Sequence, residues 1–362
     1  MLPDAMVSSK RILRIRSGLP RFHVNAILFL DMKNIRYLTG FTGSDGALLI
    51  GRKEQILMVD GRYTNQAKRE VEDAEVFEYR EKVDGIETIL TGSGFKSIGF
   101  EPASMNVHTY LKLKEKMKGV ALTPLSSEIS AIRTVKDEME IAHMKKSSDI
   151  SFQAMTAVQE LIKPGMMEKD IALELEFRMG RFGAEQIAFP TIVASGANSS
   201  LPHAKPGSRR IEKGDVVMID CGAVFQGYHS DETWTFVIGN GQNMQKEVYA
   251  VVKEAHDRAL EAVKPGVLCR EVDRAARSFI ESKTLGEYFS HGTGHGVGLD
   301  VHEAPRIAST SEHVLETGMV VTIEPGVYIP NLWGIRIEDM VLVKEGGCEV
   351  LTKMPKDFTV LN

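Results

Sequence analysis

The sequence predicts an α+β protein in two parts, a front α/β domain followed by a larger domain built from an internal repeat. Three observations carry this. Residues 212–223 read EKGDVVMIDCGA and residues 316–327 read ETGMVVTIEPGV, an offset of 316 − 212 = 104 that aligns Asp220 with Glu324. Upstream of each copy, LIKPGMMEKDI around Lys163-Pro164-Gly165 is echoed by AVKPGVLCREVD around Lys264-Pro265-Gly266, an offset of 264 − 163 = 101. Self-similarity at a near-constant offset marks repeated structural units. The first 125 residues lie outside the repeat and alternate apolar, strand-like runs with helix-like ones, as an α/β domain does.

In chain order, VNAILFLDMKNIRYLTGF, ALLIGRKEQILMVDGRYTNQAKREV and KSIGFEPASMNVHTYLKLKEKM supply the strands and helices of the front domain, expected over 1–128. The second domain, expected over 129–362, opens on a long amphipathic helix with Met139, Ile141, Ala142, Met144 and Ile150 among its apolar positions. Each KPG sits between two amphipathic runs, so both units read helix, turn, helix, strands. VVMI and VVTI, β-branched and bounded by Gly, read as buried strands. In CGAVFQGYHSDETWTF, Gly222 and Gly227 permit a turn that returns the chain as a strand carrying Asp231. In the other copy, PGVYIPNLWGIRIEDMVLV returns it with Glu338. Each half therefore offers a strand pair with one carboxylate per strand.

Composition excludes several classes. The chain has 362 residues, 43% hydrophobic and 26% charged, with a formal net charge of −5. It shows no basic stripe, so nucleic acid is not an expected partner. No apolar run approaches the ~18 residues of a membrane span, and the first residues lack the apolar core of a signal peptide. Cys221, Cys269 and Cys348 are an odd, widely spaced set, which fits a reducing compartment, and the cytoplasm is the expected location.

A buried carboxylate is costly unless paired or bound to a cation. Arg336, Arg209 and Arg210 allow an ion-pair network, but four acids with so few bases carry a desolvation penalty such pairs rarely repay. A pair of divalent ions sharing bridging carboxylates relieves it directly. The oxygen-rich donor set suits manganese, cobalt, iron or zinc. Histidines gather nearby: His291, His295 and His302 crowd into HGTGHGVGLDVHE, and His203 of SSLPHAKPG lies 99 residues before His302. Cys221 is expected to point away from Asp220, into the core, and His256 to be a packing or surface residue.

GTGHGVGLDVHE, VVMIDCGAVFQGYHSDET, VVTIEPGVY and GIRIEDMVLV resemble the metal-ligand motifs of the pita-bread metallopeptidases, over roughly residues 127–362. The front segment is similar to the creatinase-like N-terminal domain of the proline-specific branch, aminopeptidase P and prolidase. The resemblance implies Asp220, Asp231, His295, Glu324 and Glu338 as ligands of two divalent ions, manganese first among them. It also implies catalytic roles for His203, His291, His302 and Glu324, and an orienting role for Arg336 beside a ligand carboxylate. The implied activity is hydrolysis of the bond between an N-terminal residue and proline in short peptides by an aminopeptidase P type of enzyme, as a homodimer. Prolidase, confined to Xaa-Pro dipeptides, is the alternative and needs a cation for the dipeptide's carboxylate. A non-catalytic pita-bread module for protein binding has no need of five ligands. One departure from the family is Trp234, where many relatives carry Arg.

Overall fold

AILF at Ala26–Phe29 is buried along its whole length and forms the centre (β1) of the front sheet. The computed structural model describes residues 3–125, 129 and 131–362. The chain divides into two compact units, Met1–Ile132 and Arg133–Asn362; the expected boundary at 128/129 abuts residues 126–128 and 130, outside the described residues. In the front unit, α1 (Pro3–Gly18) precedes β1, and then follow α2 (Met32–Thr39), β2 (Ala47–Gly51), β3 (Gln55–Asp60), α3 (Thr64–Glu70), β4 (Glu75–Tyr79), α4 (Lys82–Gly92), β5 (Ser97–Phe100), α5 (Val107–Lys116) and β6 (Ala121–Pro124). They form one six-stranded mixed sheet, β4-β3-β2-β1-β5-β6. Asp31 and Asn106 cap α2 and α5 by accepting from Lys33 N and Thr109 N, which satisfies donors the helix leaves open.

The second unit repeats itself as the offsets predict. α6 (Glu138–Gln159) starts at a capping box of Asp137 and Glu140 and is followed by α7 (Glu168–Arg181). Its later counterparts are α8 (Asn243–Ala262) and α9 (Cys269–Ser282). Both KPG turns hold glycine at positive φ, 91° at Gly165 and 84° at Gly266, a conformation that side chains disfavour. Each turn donates a 2.8 Å bond to the loop before its strand, Gly165 N to Ile211 O and Gly266 N to Leu315 O.

After α7 come β7 (Gln186–Ile187), β8 (Ile192–Ser195), β9 (Val216–Cys221), β10 (Ala223–Phe225), β11 (Tyr228–His229) and β12 (Glu232–Ile238). After α9 come β13 (Gly294–Gly296), β14 (Glu303–Ile307), β15 (Val320–Ile323), β16 (Gly326–Ile329), β17 (Trp333–Arg336), β18 (Asp339–Lys344), β19 (Gly347–Val350) and β20 (Val360–Leu361). The main sheets are β20-β12-β9-β8 and β14-β13-β15-β18-β19. Here the structure corrects the expected hairpins. Each breaks in mid-course, and its tip forms a small separate sheet, β11-β10-β7 in one half and β16-β17 in the other. Only Asp220 lies inside a strand; Asp231 and Glu338 immediately precede β12 and β18, and Glu324 immediately follows β15.

Apolar faces fix these layers. Ile150, Leu175, Val217, Ile219 and Phe236 join α6 and α7 to the first sheet, together with Cys221 and Trp234. Val252, Val272, Val321 and Val341 join α8 and α9 to the second. Trp234 is therefore core, its ring 4.3 Å from that of Phe236. Among the described residues no helix is long and apolar enough to cross a membrane.

The hairpin break depends on close backbone approach. A β-carbon on Gly222 would stand 1.8 Å from Ser230 O, so Gly222→Ala should destabilise the protein by at least about 2 kcal/mol. Exposed Gly180 in α7 has nothing within 4 Å of such a carbon, and Gly180→Ala should stabilise by about 0.5–1 kcal/mol. Urea unfolding of the two variants checks this; equal midpoints would contradict it.

Candidate metal centre

The four breaks in the hairpins bring the carboxylates together. Asp220, Asp231 and Glu338 are 9%, 4% and 2% exposed, so their charge is held out of water. His295 enters from β13, where flanking Gly294 and Gly296 are buried. Its Nε2 lies 3.3 Å from Glu324 Oε1 and 3.6 Å from Asp231 Oδ2. Ligand atoms of Asp231, His295 and Glu338 all fall within 4.8 Å of one another, the one such group of three or more among the described residues.

Cations of the chain do not neutralise this cluster. Arg336 donates to Asp220 Oδ2 at 2.6 Å, but Arg209 pairs with Asp215 and Arg210 donates to Gly165 O. Asp220 Oδ1 is buried without a hydrogen-bond partner. Burial, joined by repulsion from Glu338, pushes the Asp231 carboxyl well above the usual carboxylate range. Burial and the charge of Glu324 do the same to Glu338. An orphaned carboxylate oxygen, an imidazole and mutually repelling buried acids fit hard divalent ions. Asp231, His295 and Glu338 bring their ligand atoms together, and Asp220 and Glu324 line the same cavity.

A layer of neutral and cationic donors orients these groups. Thr233 Oγ1 donates to Glu338 Oε2 at 2.6 Å and accepts from Arg336 Nε at 2.9 Å. Arg336 also reaches Tyr328 Oη at 2.8 Å and Pro202 O at 3.2 Å, tying the loop of His203 to Asp220. The sequence places Arg336 two residues from Glu338; its contact is with Asp220, and it reaches Glu338 through Thr233. Tyr328 Oη lies 2.9 Å from His291 Nε2. Burial pulls the His291 imidazole below its usual range, against the charge of Glu324. Burial, then the neighbouring His295, lowers His302 likewise, and the His295 and His302 rings lie 4.2 Å apart.

All nine site residues singled out in the sequence line a single cavity of about 640 Å³. That falls in the usual size range for a small-ligand site. The same wall carries Lys205 and Arg306, which sequence reasoning missed. Arg306 follows His302 by four residues and pairs across β13–β14 with His295; its nearness to that histidine in the sequence was the available signal. His229 does not line the cavity and its ring Nδ1 lies 3.1 Å from Gly298 O.

A duplicated α+β unit with an acid-lined, metal-suited cavity at the meeting of its halves is the pita-bread fold. The chain belongs to metallopeptidase family M24, whose family model matches residues 142–345, and the Creatinase/Prolidase N-terminal domain model matches residues 11–135. The Xaa-Pro dipeptidase of Pyrococcus horikoshii is 36% identical over 352 residues, 97% of this chain and 99% of that protein. The structure of Xaa-Pro dipeptidase from Bacillus anthracis has a TM-score of 0.95 at 37% identity, covering 98% of this chain and 100% of that one. X-Pro aminopeptidase from Thermotoga maritima has a TM-score of 0.90 at 38% identity, covering 97% and 99%.

Buried repulsion gives the cluster a measurable signature. In chelator-treated protein, Glu338→Gln should raise the melting temperature by at least about 2 °C, because an acid whose ionisation burial and repulsion disfavour is replaced by a neutral amide. With manganese added, wild type should gain more than the variant if Glu338 is a ligand. Thermal scans with and without metal read both; a variant less stable than wild type without metal would contradict the repulsion.

Proposed function

We propose that the chain is an Xaa-Pro dipeptidase working with two divalent ions, manganese the first choice, held by Asp220, Asp231, His295, Glu324 and Glu338. The observation that carries this is likeness along nearly the whole chain to proteins named Xaa-Pro dipeptidase. A physical feature supports it: Arg306 and Lys205 put cations on the cavity wall, where a dipeptide's C-terminal carboxylate needs one. The aminopeptidase P type of activity implied by sequence motifs becomes the second reading, kept by the likeness to the Thermotoga maritima X-Pro aminopeptidase. A non-catalytic binding module leaves the complete donor set without a purpose.

When bound, the ions supply Lewis-acid polarisation of the scissile carbonyl and acidify water. The chain's own groups do the rest. Glu324 Oε1 is engaged by His295 and by Thr322 Oγ1 at 3.2 Å; Oε2, with only His291 Nδ1 4.0 Å away, takes the proton and returns it to the leaving imide nitrogen. Burial pushes that carboxyl up, but in the metal-free chain the hydrogen bond and charge of His295 outweigh it and hold it down at about 2. Bound divalent ions would favour the carboxylate in the same way, so Glu324 is free to accept. His302, kept neutral by its surroundings, donates from its ring N–H to the developing oxyanion. His291 and His203 bound the space for the substrate, and the acids hold its free α-amine.

Cleavage of Xaa-Pro against Xaa-Pro-Yaa decides between the two readings. A dipeptidase should favour the dipeptide by at least about 100-fold in kcat/KM; the opposite preference would establish the aminopeptidase. Arg306→Gln should raise KM for Xaa-Pro by about 10-fold or more with kcat little changed. An unchanged KM would remove Arg306 as the carboxylate anchor.

A further inference from the structure

We propose that Lys356 is a positioning residue that braces the metal centre from behind, its ammonium tying the neighbour of Asp231 to the neighbour of Glu338. The inference rests on the ligand set proposed above. Each of these two acids is followed directly by another: Asp231 by Glu232, Glu338 by Asp339. Consecutive residues at a strand point to opposite faces, so the second pair is turned away from the cavity. Glu232 and Asp339 are 1% and 4% exposed, buried charges on the reverse of the two strands that present the ligands.

Those strands belong to different halves of the repeat. β12 lies in the first main sheet and β18 in the second, and among the described residues no ladder joins them. On the cavity side the junction is crossed by side chains, Thr233 to Glu338 and Thr235 Oγ1 to Arg336 O. On the reverse side Lys356 crosses it, with Nζ 2.8 Å from Glu232 Oε1 and 3.2 Å from Asp339 Oδ1. Its side chain is 10% exposed.

The segment carrying Lys356 is anchored to both strands. Met354 N donates to Glu232 Oε1 at 2.8 Å and Thr352 Oγ1 donates to Asp339 Oδ1. β20 then pairs with β12, Val237 opposite Val360, and Tyr249 Oη donates to Lys356 O at 3.2 Å. The other groups facing Asp339 do not replace the ammonium: His256 Nε2 lies 3.1 Å from Oδ2 but does not bridge to Glu232. Without Lys356, the Met354 N–H on Glu232 and the Thr352 and His256 groups at Asp339 remain, but no cation joins the two buried carboxylates, which lie directly behind two more. Their repulsion favours parting of the halves, and that parts Asp231 from Glu338. Groups that fix ligand orientation from the outer layer typically govern metal affinity by 10–100-fold.

The test titrates metal-depleted protein with manganese and follows the EPR signal of the free ion. Lys356→Met should weaken manganese binding by about 10–100-fold, and Lys356→Arg should recover part of it. Turnover at saturating manganese should stay within about 3-fold of wild type, because Lys356 touches no substrate. Val252→Ala in the core of α8 controls for stability: it should lower the melting temperature and leave manganese affinity unchanged. If Lys356→Met does not fold, Lys356→Gln carries the same measurement. Manganese affinity of the Lys356 variant equal to wild type overturns the brace alone, and so does equal weakening in Val252→Ala. Wild type that binds no manganese overturns the ligand set and the brace together.

Discussion

Like charge held out of water at Asp220, Asp231, Glu324 and Glu338 is the interaction on which the second unit depends. Carboxylates in such a setting do not stay together unaided; burial and mutual repulsion drive Asp231 and Glu338 toward their protonated forms. The fold forces the encounter because each half of the repeat contributes two acids at or within two residues of the breaks of its hairpin. Arg336 offsets one carboxylate, Asp220. The remaining charge fits the chain's place among the metallopeptidases, because divalent cations would neutralise it.

The same constraint shapes the surroundings. A hairpin that continued as one flat ladder would alternate its side chains and spread the acids along it. Breaking the hairpin at Gly222 and again after Glu324 turns the tips into separate small sheets and frees the carboxylates to converge. Hydroxyl and guanidinium groups then fix their rotamers, Thr233 on Glu338 and Arg336 on Asp220. His291, His302 and Arg306 enter from segments only loosely tied to this frame in sequence, and they make the cavity asymmetric. Duplication built the charge; His291 and Arg306, which have no matched counterpart in the first half, add further polar groups to the cavity wall.

Much of this was legible in the sequence because the repeat leaves an offset that needs no structure to see. The KPG turns, the helix pairs and the strands VVMI and VVTI follow from local pattern, and the four acids follow from alignment of the halves. The break within each hairpin was not legible: whether GAVFQGYH extends a sheet or starts another depends on the approach of Ser230 O to Gly222, a tertiary contact. Arg306 looked like one more basic residue in a loop. Lys356, in KMPKDF, reads as a surface lysine, and its partners Glu232 and Asp339 lie 124 and 17 positions away. His256, expected to be a packing or surface residue, is buried and also places Nε2 3.1 Å from Asp339 Oδ2. The preference between dipeptide and longer peptide was not legible either, because in the proposed reading it turns on a cation's position on the cavity wall.

The claim that the buried acids exist to hold cations is tested most directly by anomalous scattering at the manganese edge from crystals grown with manganese. The account predicts two peaks, both among Asp220, Asp231, His295, Glu324 and Glu338. Absence of a peak there at saturating metal, or peaks at other residues, would contradict it.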